Sequence, residues 1–484
     1  MNLKKTILLF LSTVLICSAS VIYPAAAARS LDAGITDTAL TDGTFSSYAN
    51  IVAPLTLSAE DSIGGVYIIF RNNAVGFTAS DGESSLYFDG GFLQYYAPLS
   101  SLESDSLTLT FDEPVDISDI YVFGEGELPE FVHTWNAPWE RADLLLFSTH
   151  ADDEQLFFAG VLPYYAGELE YRVQVAYFTD HVDTPSRRQE LLNGLWTVGV
   201  RNYPVISVFP DQYSESYDDA LANLNSHGFT EDDVLAYQAE LLRRFKPLVA
   251  VGHDLKGEYS HGQHILNATT LTRAVELAAD PASYPTSADK YGTWDTPKLY
   301  LHLYEENAVI MDWDIPLESF GGKTAFQMTQ EGFLCHKSQQ FTWFTDWLNG
   351  ENGNNTSAAS IKHYSPCKYG LYRSTVGEDV IKNDFFENIT IYSEQERIEK
   401  EEEEVKNQEE EAKRAEEESK AAEESSLAAM AETKIGNETQ DSAGTQNPFS
   451  SADTIFIAII TIVAVISVFI AIGFSFKNKK RRKH

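Results

Sequence analysis

Short apolar runs separated by Gly, Asp and Ser fill the first part of the chain. Val66–Phe70, Ser85–Phe88, Leu107–Phe111 and Ile120–Phe123 read as strands, and Leu107, Leu109 and Phe111 alternate with Ser106, Thr108 and Thr110 as a half-buried strand requires. This spacing predicts an all-β sandwich of jelly-roll type over residues 30–138. From Ala142 the pattern changes. Leu144–Phe147 is a continuous apolar run of the kind buried on both faces of a parallel sheet, Gln155–Tyr165 suits a crossover helix, and Val249–Val251 makes a second such strand. Residues 142–392 are therefore predicted to be α/β, a Rossmann-like, mostly parallel sheet with helices on both faces.

Beyond this body the pattern becomes charged, then flexible, then apolar. Residues 393–433 hold Glu with interspersed Lys and Arg, and Glu396/Lys400, Glu402/Lys406, Glu409/Lys413 and Glu416/Lys420 fall at the favoured i,i+4 spacing. Ile398, Val405 and Ala412 recur once per heptad, half of a coiled-coil seam. The segment reads as a solvated single helix of roughly 60 Å or as plain disorder, with 434–454 a flexible linker. Ile455–Phe476 is long enough to span a bilayer of about 30 Å, and a basic tail, 477–484, follows. Residues 1–28 have a basic start, an apolar core and small residues at Ala25–Ala28, the layout of a secretory signal peptide. Together these predict a single-pass cell-membrane protein with its body outside, as in a Gram-positive bacterium, with cell-wall anchoring the weaker alternative.

The chemistry sits where strands end. Leu144–Glu154 reads LLLFSTHADDE, so an apolar strand stops at His150 and is followed by Asp152, Asp153 and Glu154. About a hundred residues on, the second strand is followed by GHDLKGEYSHGQH, Gly252–His264. Ligands of open α/β sheets bind beyond the carboxyl ends of strands. Imidazoles plus one carboxylate suit catalytic zinc, and His150, Asp153 and His264 supply them. A carboxylate beside the ligands but outside their set, Asp152, suits a general base. His261 and Tyr259 are candidates for stabilising an oxyanion and for supplying a proton. Either cluster alone is more often a helix N-terminus or a structural histidine than a site, and only their conjunction argues for chemistry.

These residues resemble the PIG-L/LmbE-like zinc-dependent de-N-acetylases of N-acetylglucosamine-type sugars. The family's His-Pro-Asp-Asp-Glu stands here with Ala151 in second place. The resemblance implies that His150, Asp153 and His264 bind zinc, that Asp152 is the base, and that His261 assists the oxyanion with Tyr259 in the active site. The intervening RRQELLNGLWTVGV resembles the family's Arg-x-x-Glu helix, which implies a sugar contact for Arg187, and Asp211 matches a substrate-facing acid. The resemblance covers Ala142–Tyr392. In the sandwich, Thr41-Asp42-Gly43 and DISDIYVFGE resemble the galactose-binding-like domains of the discoidin type. There Tyr48, Tyr95 and Tyr96 are candidate sugar-stacking rings, although packing is the commoner role of such aromatics.

A formal net charge of −37 argues against nucleic acid or an anionic polymer as a non-specifically held partner. Once the leader is removed, Cys335 and Cys367 remain, to pair or to stay as free thiols. The expected function is surface-bound deacetylation of an N-acetylated glycan or glycolipid. A non-catalytic glycan-binding or adhesion protein on a stalk, and a zinc hydrolase of a different amide, are the alternatives.

Overall fold

Alternation closes the N-terminal sandwich: along Ser106–Phe111 the buried side chains are Leu107 and Leu109. The computed structural model describes residues 27–436. Eight strands, β1 (Ala49–Ile51), β2 (Leu55–Ser58), β3 (Gly65–Phe70), β4 (Phe77–Ser80), β5 (Ser85–Phe88), β6 (Gln94–Pro98), β7 (Ser106–Phe111) and β8 (Val115–Phe123), form two antiparallel sheets. Their orders are β1-β8-β3-β6 and β2-β7-β4-β5. Leu57, Ile68, Phe70, Phe77, Leu109 and Ile117 are fully buried between them. The three candidate sugar-stacking tyrosines are engaged within the protein. Tyr95 lies among the rings of Phe77, Phe88 and Phe92, Tyr96 lies against Gly65, and the Arg71 guanidinium covers Tyr48 at 4.0 Å.

Asp119 of β8 is an internal weak point. Its Oδ1 accepts the Gly43 N–H at 2.9 Å, while Oδ2 has no partner among the described residues. Burial pushes its carboxyl up to about 6. The folded chain therefore holds this proton more tightly than the unfolded chain does. Stability falls as pH rises from about 4, the unfolded value, through that raised value. Asp119→Asn is expected to stabilise the protein at pH 7 by about 1–2 kcal/mol and to change little near pH 4. Chemical denaturation at both pH values measures this, and a less stable variant at pH 7 would contradict it.

The α/β layer is built on β9 (Leu144–Ser148), β10 (Val173–Thr179), β11 (Val205–Phe209), β12 (Val249–Gly252), β13 (Lys298–His302), β14 (Ala308–Ile310) and β15 (Lys368–Ser374). The order is β11-β10-β9-β12-β13-β15-β14. The first five run parallel; β15 pairs antiparallel with β13 and β14. In-register pairing of Leu144 with Val249 and Leu146 with Val251 sets the carboxyl ends of β9 and β12 side by side. The strand order reverses there, which is where such sheets open a crevice.

The crossover helix expected over Gln155–Tyr165 is not one helix. A turn of α-helix covers Asp153–Leu156 and a π-helical turn covers Pro163–Glu168. Gly160 between them has φ +90°, and a Cβ there would lie 2.3 Å from the Trp313 ring. Close approach of that indole sets the break, and Pro163 lacks the N–H that would continue the ladder.

The described residues fall into two units that meet between Arg397 and Ile398. The sandwich and the α/β layer share the first. Arg188 donates to the Asn72 carbonyl at 2.9 Å and Gln189 to that of Phe70 at 2.8 Å. Gln94 donates to Gln189 and Asn193, and His133 stacks on Trp196. Residues 185–197, the helix that carries Arg187, thus rest on the sandwich. Calorimetry of residues 29–397 should give one cooperative transition, and two resolved transitions would contradict the shared core.

The charged segment is helical over Tyr392–Gly436, with Glu416 and Lys420 paired at 2.6 Å. Glu396 pairs with Arg172 at 2.7 Å instead of with Lys400. Cys335 and Cys367 are both free thiols. The membrane expectation requires correction. Among the described residues no helix is long and apolar enough to cross a membrane. Ile455–Phe476, its basic tail and most of the 434–454 linker lie outside the described residues, as do residues 1–26 of the expected leader. Ala28, at the end of that leader, is buried and donates its N–H to the Glu127 carbonyl at 2.7 Å.

Candidate metal centre

Beyond β9 the chain turns sharply through Asp152, whose φ is 132°. The turn is held from within. Asp153 Oδ2 accepts the His150 N–H at 2.7 Å, and Glu154 Oε2 accepts the Asp152 N–H at 3.0 Å. Beyond β12 a short loop and a 3₁₀ turn, Glu258–Ser260, lead to His261, which caps the Gly262–Ala279 helix and accepts the Gln263 N–H at 3.2 Å through Nδ1. His264 lies in the first turn of that helix.

The two loops bring three donor atoms together. His150 Nδ1 is 3.2 Å from Asp153 Oδ2 and 3.1 Å from His264 Nε2, which is itself 3.2 Å from Asp153 Oδ2. All three residues are buried. Donors about 2.0–2.1 Å from one zinc ion at tetrahedral angles lie roughly 3.3–3.4 Å apart, so the set fits that metal with little adjustment. The opposite nitrogen of each imidazole is already occupied. His264 Nδ1 lies 2.8 Å from Glu258 Oε2, and His150 Nε2 lies 3.2 Å from Gln263 Oε1. Such partners fix the ring and leave the other nitrogen as the ligand. Burial opposes charge on His264, but Asp153 and Glu258 outweigh it and push its pKa up to about 10.

A rival grouping of Asp153, His253 and His264 is also close enough for a metal. His253 is less available than His150. Its Nε2 accepts the Thr149 N–H at 3.1 Å, and its Nδ1 lies 2.8 Å from Glu258. Burial keeps His253 below its ordinary pKa, so it acts as a neutral strut.

Around this triad stand the remaining predicted residues. Asp152 is 4 % exposed. Burial pushes its carboxyl up, against the pull of Arg187. Arg187 donates to the Ala151 carbonyl at 2.8 Å and to Asp211 at 3.1 Å, and its Nη2 lies 3.4 Å from Asp152 Oδ1. Its two Nη atoms thus bridge the two acids, while its buried Nε has no partner among the described residues. Burial would raise the Asp211 carboxyl, but His150, His181 and Arg187 around it hold it well below the usual range. A ring nitrogen of His261 lies within 4.8 Å of ligand atoms of His150 and His264, and burial lowers its pKa to about 2. It is neutral, and with Nδ1 accepting from Gln263 its proton is on Nε2. The Tyr259 ring is 5.4 Å from that of His261 and 5.5 Å from that of His264, and burial pushes its hydroxyl far above the ordinary value.

Several supports escaped the sequence reading. Glu258 collects three histidines on its two oxygens: His253 and His264 at 2.8 Å and His302 at 2.6 Å. Burial opposes its charge, yet the three imidazoles hold it ionised. His302 ends β13, and a histidine closing a buried strand is the same signal that marked His150. His336 reaches Glu154 at 3.0 Å from far along the chain, with no local pattern to announce it. Ala151 donates its N–H to His181 Nε2 at 2.9 Å. The proline of the family pattern has no such N–H, so this departure supplies a hydrogen bond.

Residues 145–275 match the family model PIG-L: GlcNAc-PI de-N-acetylase. A 1D-myo-inositol 2-acetamido-2-deoxy-alpha-D-glucopyranoside deacetylase 1 of Catenulispora acidiphila is 27 % identical over 185 residues, 34 % of this chain and 56 % of that protein. A deacetylase 2 of the same description from Saccharopolyspora erythraea is 41 % identical over 69 residues, 14 % of this chain and 24 % of that protein. The chain thus spans about half the length of the first relative and a quarter of the second. Among solved structures, the N,N'-diacetylchitobiose deacetylase from Pyrococcus horikoshii aligns at a TM-score of 0.36 with 15 % identity, over 48 % of this chain and 85 % of that one.

Proposed function

We propose that this protein is a zinc-dependent hydrolase that removes the acetyl group from an N-acetylglucosamine-type amino sugar. The observation that carries the proposal is the convergence of His150 Nδ1, Asp153 Oδ2 and His264 Nε2, with the Asp152 carboxylate beside them and outside the ligand set. The family match over residues 145–275 supports the reaction class, and the relatives' names support the amino-sugar substrate.

Zinc held by His150, Asp153 and His264 would supply a Lewis acid and make a water nucleophilic near neutral pH. Asp152 takes the proton of the attacking water as its oxygen bonds to the acetamide carbon. The carbonyl oxygen gains negative charge, and His261 donates its Nε2 proton toward it as a hydrogen bond while remaining neutral. When the C–N bond breaks, the sugar nitrogen takes the proton carried by Asp152, leaving acetate and a free amine. Arg187 holds the Asp152 carboxylate in place. Asp211, part-exposed and ionised, accepts from a sugar hydroxyl. Tyr259 closes the far side of the site.

The test is release of acetate from N-acetylglucosamine and its glycosides by the zinc-loaded chain, with the new amine quantified in parallel. Equal amounts of the two are expected. Tight glycan binding with no acetate from any of them would favour a non-catalytic glycan-binding protein, and hydrolysis of simple anilides but no sugar would favour a hydrolase of another amide.

A further inference from the structure

We infer that the substrate is a neutral glycan chain that continues past the reacting sugar, held beside the metal centre by two exposed aromatic rings, Tyr213 and Trp343. The inference rests on the deacetylase reading and extends it to the form of the substrate.

Tyr213 stands in the loop between β11 and the Tyr217–Ser226 helix. Its ring is 67 % exposed, yet it meets the His261 ring edge-on at 5.3 Å. The loop is anchored. Ser214 accepts the Gly262 N–H through its carbonyl at 2.8 Å, and a Cβ on Gly262 would come within 2.2 Å of the Ser216 carbonyl oxygen. Only glycine permits that approach, so the loop sits tightly on the helix that carries His264. Asn223 donates to the Tyr213 carbonyl at 3.2 Å.

Trp343 opens the short helix Trp343–Asn349. It is 49 % exposed, and its ring is 6.0 Å from that of Tyr259. Its neighbours fix the helix: Phe344 and Trp347 pack on Phe157 at 5.9 and 5.7 Å, and Trp347 donates to the His363 carbonyl. Among the described residues the Trp343 indole N–H makes no hydrogen bond. Tyr213 thus meets His261 and Trp343 meets Tyr259, while His261, His264 and Tyr259 all contact one another beside the metal triad.

An exposed ring held rigidly beside a polar site suits the apolar face of a pyranose. The Tyr213 hydroxyl is bonded to Glu215 at 3.3 Å, which fixes that ring, while the Trp343 indole N–H is open to a sugar hydroxyl. A net charge of −37 disfavours an anionic glycan. One pyranose on each ring, beside the sugar whose acetamide lies at the triad, makes a chain of more than one sugar.

The full chain is titrated by calorimetry, after chelation so that nothing turns over, with N-acetylglucosamine and with its β-1,4-linked tetramer. The parent is expected to bind the tetramer at least tenfold more tightly than the monosaccharide. Tyr213→Ala and Trp343→Ala should each weaken tetramer binding about five- to tenfold, as loss of a stacked ring does, and Trp343→Phe should keep most of it. With zinc restored, each alanine variant should lower the ratio of kcat/KM for tetramer over monosaccharide by a similar factor through KM. Equal parental binding of the two sugars, or alanine variants that leave the binding and the ratio unchanged, would overturn the inference. If the parent binds the tetramer as expected but releases acetate from neither sugar, the deacetylase reading fails and the binding cleft stands.

Discussion

Asp152→Asn should keep its zinc and lose its rate. The substitution preserves shape and leaves the backbone N–H of residue 152 on Glu154, but an amide cannot accept the proton of the attacking water. General-base catalysis contributes on the order of 10²–10⁴-fold, so kcat should fall by at least about a hundredfold while elemental analysis still finds one zinc per chain. Both must be measured on one preparation. The neighbouring carboxylates have other tasks: Asp153 is in the ligand set, Asp211 meets His181 as well as Arg187, and Glu154 is held by His336. A variant as fast as the parent would mean that the base lies elsewhere.

His264→Ala should lose metal and activity together. The imidazole is both ligand and strut: Nε2 faces Asp153 and His150, and Nδ1 meets Glu258. Its removal leaves two buried carboxylates short of a partner, which costs about 3–5 kcal/mol where the charge is fully enclosed. The thermal midpoint of the metal-free chain should therefore drop as well. Changing a group that only orients a ligand costs about 10–100-fold in metal affinity, and loss of the ligand itself should exceed that. Comparison of His150→Ala with His253→Asn separates the proposed set from the grouping that contains His253. His150→Ala should release zinc, whereas His253→Asn should retain it. Zinc lost from His253→Asn but kept by His150→Ala would move the site to the rival set.

The strand ends were legible because buried parallel strands are short and apolar, so the first polar residues after Phe147 and Val251 stand out as residues placed at the crevice. Parallel pairing of β9 with β12 then brings together clusters about a hundred residues apart, and His150, Asp152, Asp153, Tyr259, His261 and His264 all reach one centre. Arg187 is there too, between Asp152 and Asp211, with its Nε unpartnered among the described residues. The network on Glu258 was not legible in the same way. A glutamate between two histidines has no local pattern that distinguishes a hub from a surface residue, and His302 and His336 arrive from distant elements. The break after Leu156 depended on Trp313 lying against Gly160, a tertiary contact that local propensity does not report. The same holds for the sandwich. Its strands could be read from alternation, but the hydrogen bonds from Arg188 and Gln189 that join it to the α/β layer could not.

The most direct test is titration of zinc into the chelated full chain with acetate release from an N-acetylglucosaminyl substrate as the readout. The rate should rise from near zero, reach a plateau at one equivalent, and stay flat in Asp152→Asn although the metal is still taken up. Activity that survives chelation, or no acetate at any zinc level, would contradict the assignment of His150, Asp153 and His264 to a catalytic zinc site.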